Sequence, residues 1–241
     1  TLQDENRFGV IYVYNLDNAT KQAITDNWYD SSQPTFSNDG KYLLFASDRD
    51  FNPIYSNTEW NHAYQAMGKI YLVLLTKDVT SPFSLENNEV VIVQPETPKA
   101  TEANNEKGKN DEVKKEEKSK LSVKIDFDNI SSRVIALPTD VAYYGINSCI
   151  DGKIYYNRFN PETRKGTALV YDLKKKAETE LGESVNFSIS SNGKKMLVNK
   201  NKNYYVVDLP SSKLSLEKPM DLSSMKVWVD FSKEWKQIFD E

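Results

Sequence analysis

The chain has 241 residues, 39% hydrophobic and 27% charged, and its 31 basic minus 35 acidic residues give a formal net charge of −4. These values are typical of a globular chain, and the acidic balance argues against a nucleic-acid or anionic membrane partner. One cysteine, Cys149, and one histidine, His62, exclude a disulfide framework and a multi-histidine metal centre, and we expect no metal and no cofactor.

Short runs of β-branched and aromatic residues, each followed by turn residues, recur along the chain and predict antiparallel strands. The clearest of these runs are 10–14, 69–75, 167–171 and 204–207. Helical periodicity is confined to the last dozen residues. The sequence therefore predicts an all-β fold with one short C-terminal helix.

Three dipeptides punctuate these strands, namely Asp39-Gly40, Asp151-Gly152 and Asn192-Gly193. Such pairs supply the positive-φ positions of tight hairpin turns. The last two glycines lie 193 − 152 = 41 residues apart, which matches the repeat of a four-stranded propeller blade, about 40–45 residues. The fold class predicted is a β-propeller of four-stranded antiparallel blades.

The predicted blades do not complete a standard ring. Outer strands of one blade lie before residue 24, a second blade spans 33–93 and is completed by 133–137, and two more span 143–181 and 185–222. That makes roughly three and a half blades, whereas closed propellers have about 4–8. The alternative is a complete four-bladed ring closed by the N-terminal strands.

The chain divides into four predicted parts. Residues 1–95 form propeller blades with an aromatic insertion at 51–67, and residues 125–228 continue the blades. Between them, residues 96–124 contain eight lysines and seven acids and no aromatic residue, which predicts a disordered linker or loop. Residues 229–241 predict the first helix of a following domain, with Ser232 as its N-cap, and we expect the chain to begin and end inside a larger protein.

Several segments resemble known propeller proteins. The run 36–41 followed by 46–50 looks like the blade signature of TolB-like and tricorn-type propellers. The segment 51–60 resembles an insertion in a blade of bacterial tricorn-like serine proteases. The segment 125–134, with Asn129 at a position where that family usually has Gly, and the segment 229–241 resemble further stretches of the same family, in the family's order.

This resemblance implies that the chain is a non-catalytic propeller segment of a tricorn-like serine peptidase. It implies a role in gating peptide access and supporting assembly, with peptides, a PDZ domain, a catalytic core and further copies of the protein as partners. The family's catalytic residues match no position here, so none is assigned. The resemblance also implies a cytoplasmic location, with an exported form left open.

The segment from Arg49 to Tyr64 is the predicted substrate or interface site. It interrupts a blade and concentrates the side chains that carry binding energy at interfaces: Arg49, Tyr55, Trp60, His62 and Tyr64. The alternative is that Tyr55 and Trp60 only hold the loop on its own blade.

Two other function classes remain open. A stand-alone TolB-like propeller would be a protein- or peptide-binding module without a protease. A propeller glycosidase would use paired carboxylates such as Asp48 and Asp50. For that cluster we expect instead that the Asp caps a turn and that Arg49 pairs with the neighbouring acids.

Overall fold

The computed structural model describes residues 1–3, 5, 7–50, 66–84, 123–161, 163–226 and 228–241, together with the backbone strands at 54–55 and 62–63. Seventeen strands, a 3₁₀ turn at Ile130–Arg133 and one α-helix, α1 (Phe231–Asp240), make up the described secondary structure. In chain order the strands are β1 (Leu2–Gln3), β2 (Gly9–Val10), β3 (Tyr12–Asn15), β4 (Thr20–Ala23), β5 (Ser31–Phe36), β6 (Tyr42–Ser47), β7 (Ile54–Tyr55), β8 (His62–Ala63), β9 (Lys69–Leu74), β10 (Val134–Ala136), β11 (Tyr143–Ile150), β12 (Lys153–Asn160), β13 (Lys165–Asp172), β14 (Ala177–Glu183), β15 (Asn186–Ile189), β16 (Lys195–Lys200) and β17 (Asn203–Asp208).

The strands form successive antiparallel sheets, as predicted for propeller blades. The second sheet has the order β10-β9-β6-β5, the third β11-β12-β13-β14, and the last β15-β16-β17, while β3 and β4 form an N-terminal hairpin. The predicted completion of the second blade by residues 133–137 is confirmed, because Val134–Ala136 pairs with β9. The blade predicted at 185–222 has three described strands rather than four, and beside β17 the Met220 N–H donates to the Tyr204 carbonyl.

Apolar side chains between the sheets form the core. Ile11 and Ile24 of the N-terminal segment pack with Phe45 and Tyr71 of the second sheet. The opposite face of that sheet packs against the third sheet, and the third sheet packs against the last one. Because both faces of the inner sheets are covered, runs such as 43–45 are apolar at every position.

One face of the last sheet lies open. Leu197 and Val206, which are paired across β16 and β17, are 40% and 54% exposed, respectively. The N-terminal hairpin packs on the second sheet instead. The alternative of a four-bladed ring closed by the N-terminal strands is therefore not seen in the described residues.

The three predicted hairpin turns all contain a glycine with positive φ, but only one of them has positive φ at both residues of the dipeptide. Asp151 and Gly152 both have positive φ, at 50° and 73°, as a two-residue turn of this kind requires. In the other two turns only Gly40 and Gly193 have positive φ. There the preceding Asx side chain accepts hydrogen bonds, since Asp39 Oδ1 accepts from the Lys41 N–H at 3.1 Å and Asn192 Oδ1 from the Lys194 N–H at the same distance.

Two further local expectations can be compared with the backbone. Asn129, which stands where the resembling family usually has Gly, has φ 53°, a left-handed conformation that Asn tolerates. The N-cap of α1 is Asp230 rather than Ser232, because the Asp230 side chain accepts hydrogen bonds from the backbone N–H groups of Ser232 and Lys233. No helix among the described residues is long and apolar enough to cross a membrane.

Candidate functional site

The sheet topology separates two long connections of the second sheet. The insertion at 51–67 leaves at the end of β6 and returns at the start of β9, and the backbone pair formed by the Asp50 N–H and the Met67 carbonyl closes its base at 3.1 Å. The connection that follows β9 leaves at the opposite end of the strands, where Lys77 Nζ contacts Asp128 Oδ2 at 2.5 Å. We call the end of the sheets that carries the insertion the groove face. The strands β5, β9 and β11 start there, and the strands β6 and β12 end there.

Of the five predicted site residues, only Arg49 is described with its side chain. Tyr55 and His62 lie opposite each other in the short pair β7–β8, and their side chains are outside the described part of the chain. Trp60 and Tyr64 lie outside the described residues altogether. Their predicted role in substrate or partner binding stays a prediction.

Arg49 is held by aromatic rings. Its guanidinium carbon lies 5.3 Å from the ring centroids of Tyr29, Phe45 and Tyr71, and its Nε donates to Ser47 Oγ at 3.0 Å. Such cation–π contacts stabilise by about 0.5–2 kcal/mol each, depending on desolvation. Contrary to the expectation, no ion pair joins Arg49 to Asp48 or Asp50 in the described part of the chain, and aromatic rings occupy the surroundings of the guanidinium.

An aromatic cleft of about 390 Å³ lies directly beside Arg49. Phe8, Trp28, Tyr29 and Met67 form its apolar lining. Trp28 is 78% exposed, which leaves most of the indole open to solvent. Exposed aromatic side chains next to an Arg are typical of binding surfaces.

Sequence reasoning missed Trp28 and Tyr29. They form an adjacent aromatic pair in the polar segment 26–32, which has the composition of a loop. Two large aromatic residues in such a loop are a signal that could have identified the cleft. The sequence alone does not connect them with the insertion at 51–67, because Tyr29 lies 22 residues before it.

Carboxylates surround the same cleft. Asp50 forms an ion pair with Lys69, which satisfies both charges. Asp48 is half-buried, and burial together with the nearby Asp30 raises the pKa of its carboxyl group. Asp30 is exposed, and its Oδ1 accepts a hydrogen bond of 2.7 Å from the Gly9 N–H.

Two further clefts adjoin the aromatic cleft along the groove face. A middle cleft of about 260 Å³ shares Asp30 and Asp48 with it and extends past Gln33. An outer cleft of about 520 Å³ shares Tyr143 and Tyr144 with the middle cleft and ends at β15. The three clefts therefore follow one another across the second, third and last sheets.

The other candidate chemistries find no support in the geometry. Cys149 is buried, and burial raises the pKa of its thiol to about 12, so it is not an activated nucleophile. Among the described residues no group of three His, Cys, Asp or Glu side chains is arranged to hold a metal ion. Because Asp50 is paired with Lys69, the Asp48–Asp50 pair does not present the two free carboxyl groups of a glycosidase.

Comparison with known proteins identifies the fold and its relatives. The family model of the tricorn protease second beta propeller domain matches residues 1–210. A putative tricorn-like protease C-terminal subunit from Sulfurisphaera tokodaii is 29% identical over 227 residues, which cover 88% of this chain and 23% of that protein. The tricorn protease homolog 1 from Streptomyces coelicolor is 26% identical over 229 residues, covering 86% of this chain and 20% of that protein.

A solved structure agrees with these sequence matches. The crystal structure of the tricorn protease superposes with a TM-score of 0.67 at 18% identity, covering 96% of this chain and 21% of the matched one. At that identity the likeness concerns the fold. The chain spans about a fifth of the length of each of these proteins.

Proposed function

The chain belongs to the family of the tricorn protease second β-propeller domain, and from that premise we propose that it is a non-catalytic segment of a larger serine-type peptidase. In this proposal the groove face contacts peptides on their way to a catalytic core elsewhere in the intact protein. The partners are then peptides, a PDZ domain, the core itself and further copies of the protein. A cytoplasmic location belongs to the same proposal.

The aromatic cleft is the observation that carries the peptide-gating role. Its open wall of Phe8, Trp28 and Tyr29 lies where the insertion leaves the second sheet. Peptides bind such surfaces by laying apolar side chains against aromatic rings, while the backbone stays accessible to polar neighbours. The adjoining clefts extend this surface in the way that an extended peptide requires.

The chemistry of the one cysteine, Cys149, supports a gating role rather than a catalytic one. The buried Cys149 thiol is kept protonated at neutral pH by its raised pKa. The side chain of His62 is outside the described residues. We therefore assign bond cleavage to other parts of the intact protein.

Replacing Trp28 in the full-length protein tests the proposal. We expect Trp28→Ala to lower kcat/KM for short peptides about tenfold, as loss of an aromatic anchor does at other binding surfaces. Tyr14→Ala is the matched control, because Tyr14 is 54% exposed on the hairpin end of β3, at the opposite edge of the sheets. Its expected kcat/KM is that of the wild type.

Two measurements decide the outcome. The mass of the assembly, measured by analytical ultracentrifugation, should be the same for both variants, which separates peptide binding from assembly. If Trp28→Ala keeps kcat/KM within twofold of the wild type for peptides of every length tested, the groove face does not handle substrate and the proposal is wrong.

A further inference from the structure

Asp30 and Asp48 line both the aromatic cleft and the middle cleft, at the junction of the two. Strands β5 and β6 pair with Ser31 opposite Ser47, and the ladder continues by one residue, since the Asp48 N–H donates to the Asp30 carbonyl at 3.1 Å. Asp30 and Asp48 are therefore direct cross-strand neighbours. Like charges in such positions destabilise a sheet.

The two cations next to this acid pair in sequence and across the sheet, Arg49 and Lys69, are engaged elsewhere. Arg49 is enclosed by three aromatic rings and bonded to Ser47 Oγ, and Lys69 is paired with Asp50. In the described part of the chain no ion pair joins Asp30 or Asp48 to a basic side chain. The pair thus presents two carboxylates without an ion-pair partner among the described residues to the clefts that share it.

We propose that Asp30 and Asp48 bind a lysine or arginine side chain of a peptide that lies along these clefts. This inference rests on the proposed function, because it names the class of peptide that the groove face selects. A cation between the two carboxylates removes their repulsion and adds a charge-assisted hydrogen bond to each. The pair is a recognition element for substrate in this assignment.

The shape of the clefts favours an internal basic side chain over a free amino terminus. The acid pair lies between the aromatic cleft and the middle cleft, with open space on both sides. A peptide can therefore continue past the pair in both directions, with an apolar side chain on Trp28 and Tyr29. A chain that ended at the pair would leave one of the two clefts empty.

Binding of matched peptides to the full-length protein tests the inference. The probes are two fluorescein-labelled, N-acetylated decapeptides with one Trp and, two residues later, either Lys or Gln. Affinity is measured by fluorescence anisotropy at 4 °C, with mass spectrometry to verify that the peptides remain intact. For the wild type we expect the Lys peptide to bind about fivefold more tightly than the Gln peptide, and we expect added salt to reduce the difference.

The variants are Asp30→Asn and Asp48→Asn, alone and together. Asparagine keeps the shape and an acceptor oxygen, so the hydrogen bond from the Gly9 N–H to residue 30 can persist. We expect the double variant to bind the two peptides equally. Asp17→Asn is the matched control, because Asp17 is an exposed carboxylate in the β3–β4 turn, at the opposite edge of the sheets, and its removal should leave the preference for Lys intact.

The outcomes separate this inference from the proposed function. If the double variant retains the full preference for Lys while Trp28→Ala still weakens binding of both peptides, the groove face binds peptides but the acid pair does not select them, and the inference is overturned. If neither peptide binds to the wild type, both the inference and the proposed function are wrong. Loss of the preference in Asp17→Asn would likewise overturn the inference, because removing a carboxylate outside the clefts would then have the same effect as removing the acid pair.

Discussion

Replacing Gln33 should loosen the contact between the second and third sheets. Its side chain spans the two sheets, since Nε2 donates to the Tyr144 carbonyl and Oε1 accepts from the Ile146 N–H, both at 2.8 Å. In this way one side chain satisfies two backbone groups on the edge of β11. Gln33 has φ 57°, a left-handed conformation that Ala would adopt at a similar cost, so Gln33→Ala isolates the two hydrogen bonds.

The expected loss follows from these two bonds. A neutral hydrogen bond contributes about 1 kcal/mol, so Gln33→Ala should lower the free energy of local opening at this edge by about 2 kcal/mol. That change corresponds to roughly 30-fold faster exchange of the Ile146 amide hydrogen, because about 1.4 kcal/mol is a factor of ten. The measurement is hydrogen–deuterium exchange of the full-length protein with single-residue resolution.

A matched variant and an internal reference sharpen this experiment. Gln33→Glu keeps an acceptor for the Ile146 N–H but loses the donor to the Tyr144 carbonyl, so its exchange rate should lie between those of the wild type and the Ala variant. Leu169, buried in the interior strand β13, should exchange equally in all three proteins. If Ile146 in the Ala variant exchanges within threefold of the wild-type rate, the Gln33 bridge does not hold the sheets together.

Two other predictions concern the groove face. The raised pKa of Asp48 means that folding disfavours the ionised carboxylate, so the contribution of Asp48 to stability is present below the unfolded-state pKa and is lost as pH rises through the folded-state pKa. Asp48→Asn should remove this part of the pH dependence and raise the melting temperature of the full-length protein at neutral pH. A lower melting temperature would contradict the assignment. Combined Tyr55→Ala and Trp60→Ala should change peptide turnover or assembly mass, while circular dichroism shows that the blades stay folded. Unchanged peptide kinetics together with an unchanged mass would remove the insertion from the proposed site.

The local features of the fold were predictable because they depend on neighbours in sequence. The positive φ of Gly40 and Gly193 follows from turns closed within six residues, in which the Ser37 and Ser190 N–H groups donate to the Tyr42 and Lys195 carbonyls, both at 2.9 Å. The pairing of Val134–Ala136 with β9 was accessible too, although 59 residues separate the two segments. There the four-stranded blade pattern called for a further strand, and the apolar run 133–137 supplied it.

The candidate site was only partly predictable because its contacts depend on register and on packing between sheets. Arg49 was identified from composition, but its surroundings were not, since Tyr29, Phe45 and Tyr71 come from separate segments. Trp28 was not identified, because no sequence pattern assigned it to the groove face.

The sequence by itself determined the strands, the turns and the all-β class, because alternation and turn chemistry act over a few residues. Only the tertiary structure decided that Asp30 and Asp48 lie side by side and that Gln33 reaches Tyr144. Those contacts join residues 18 and 111 positions apart, and a shift of one residue in strand register would point each of these side chains to the other face of its sheet.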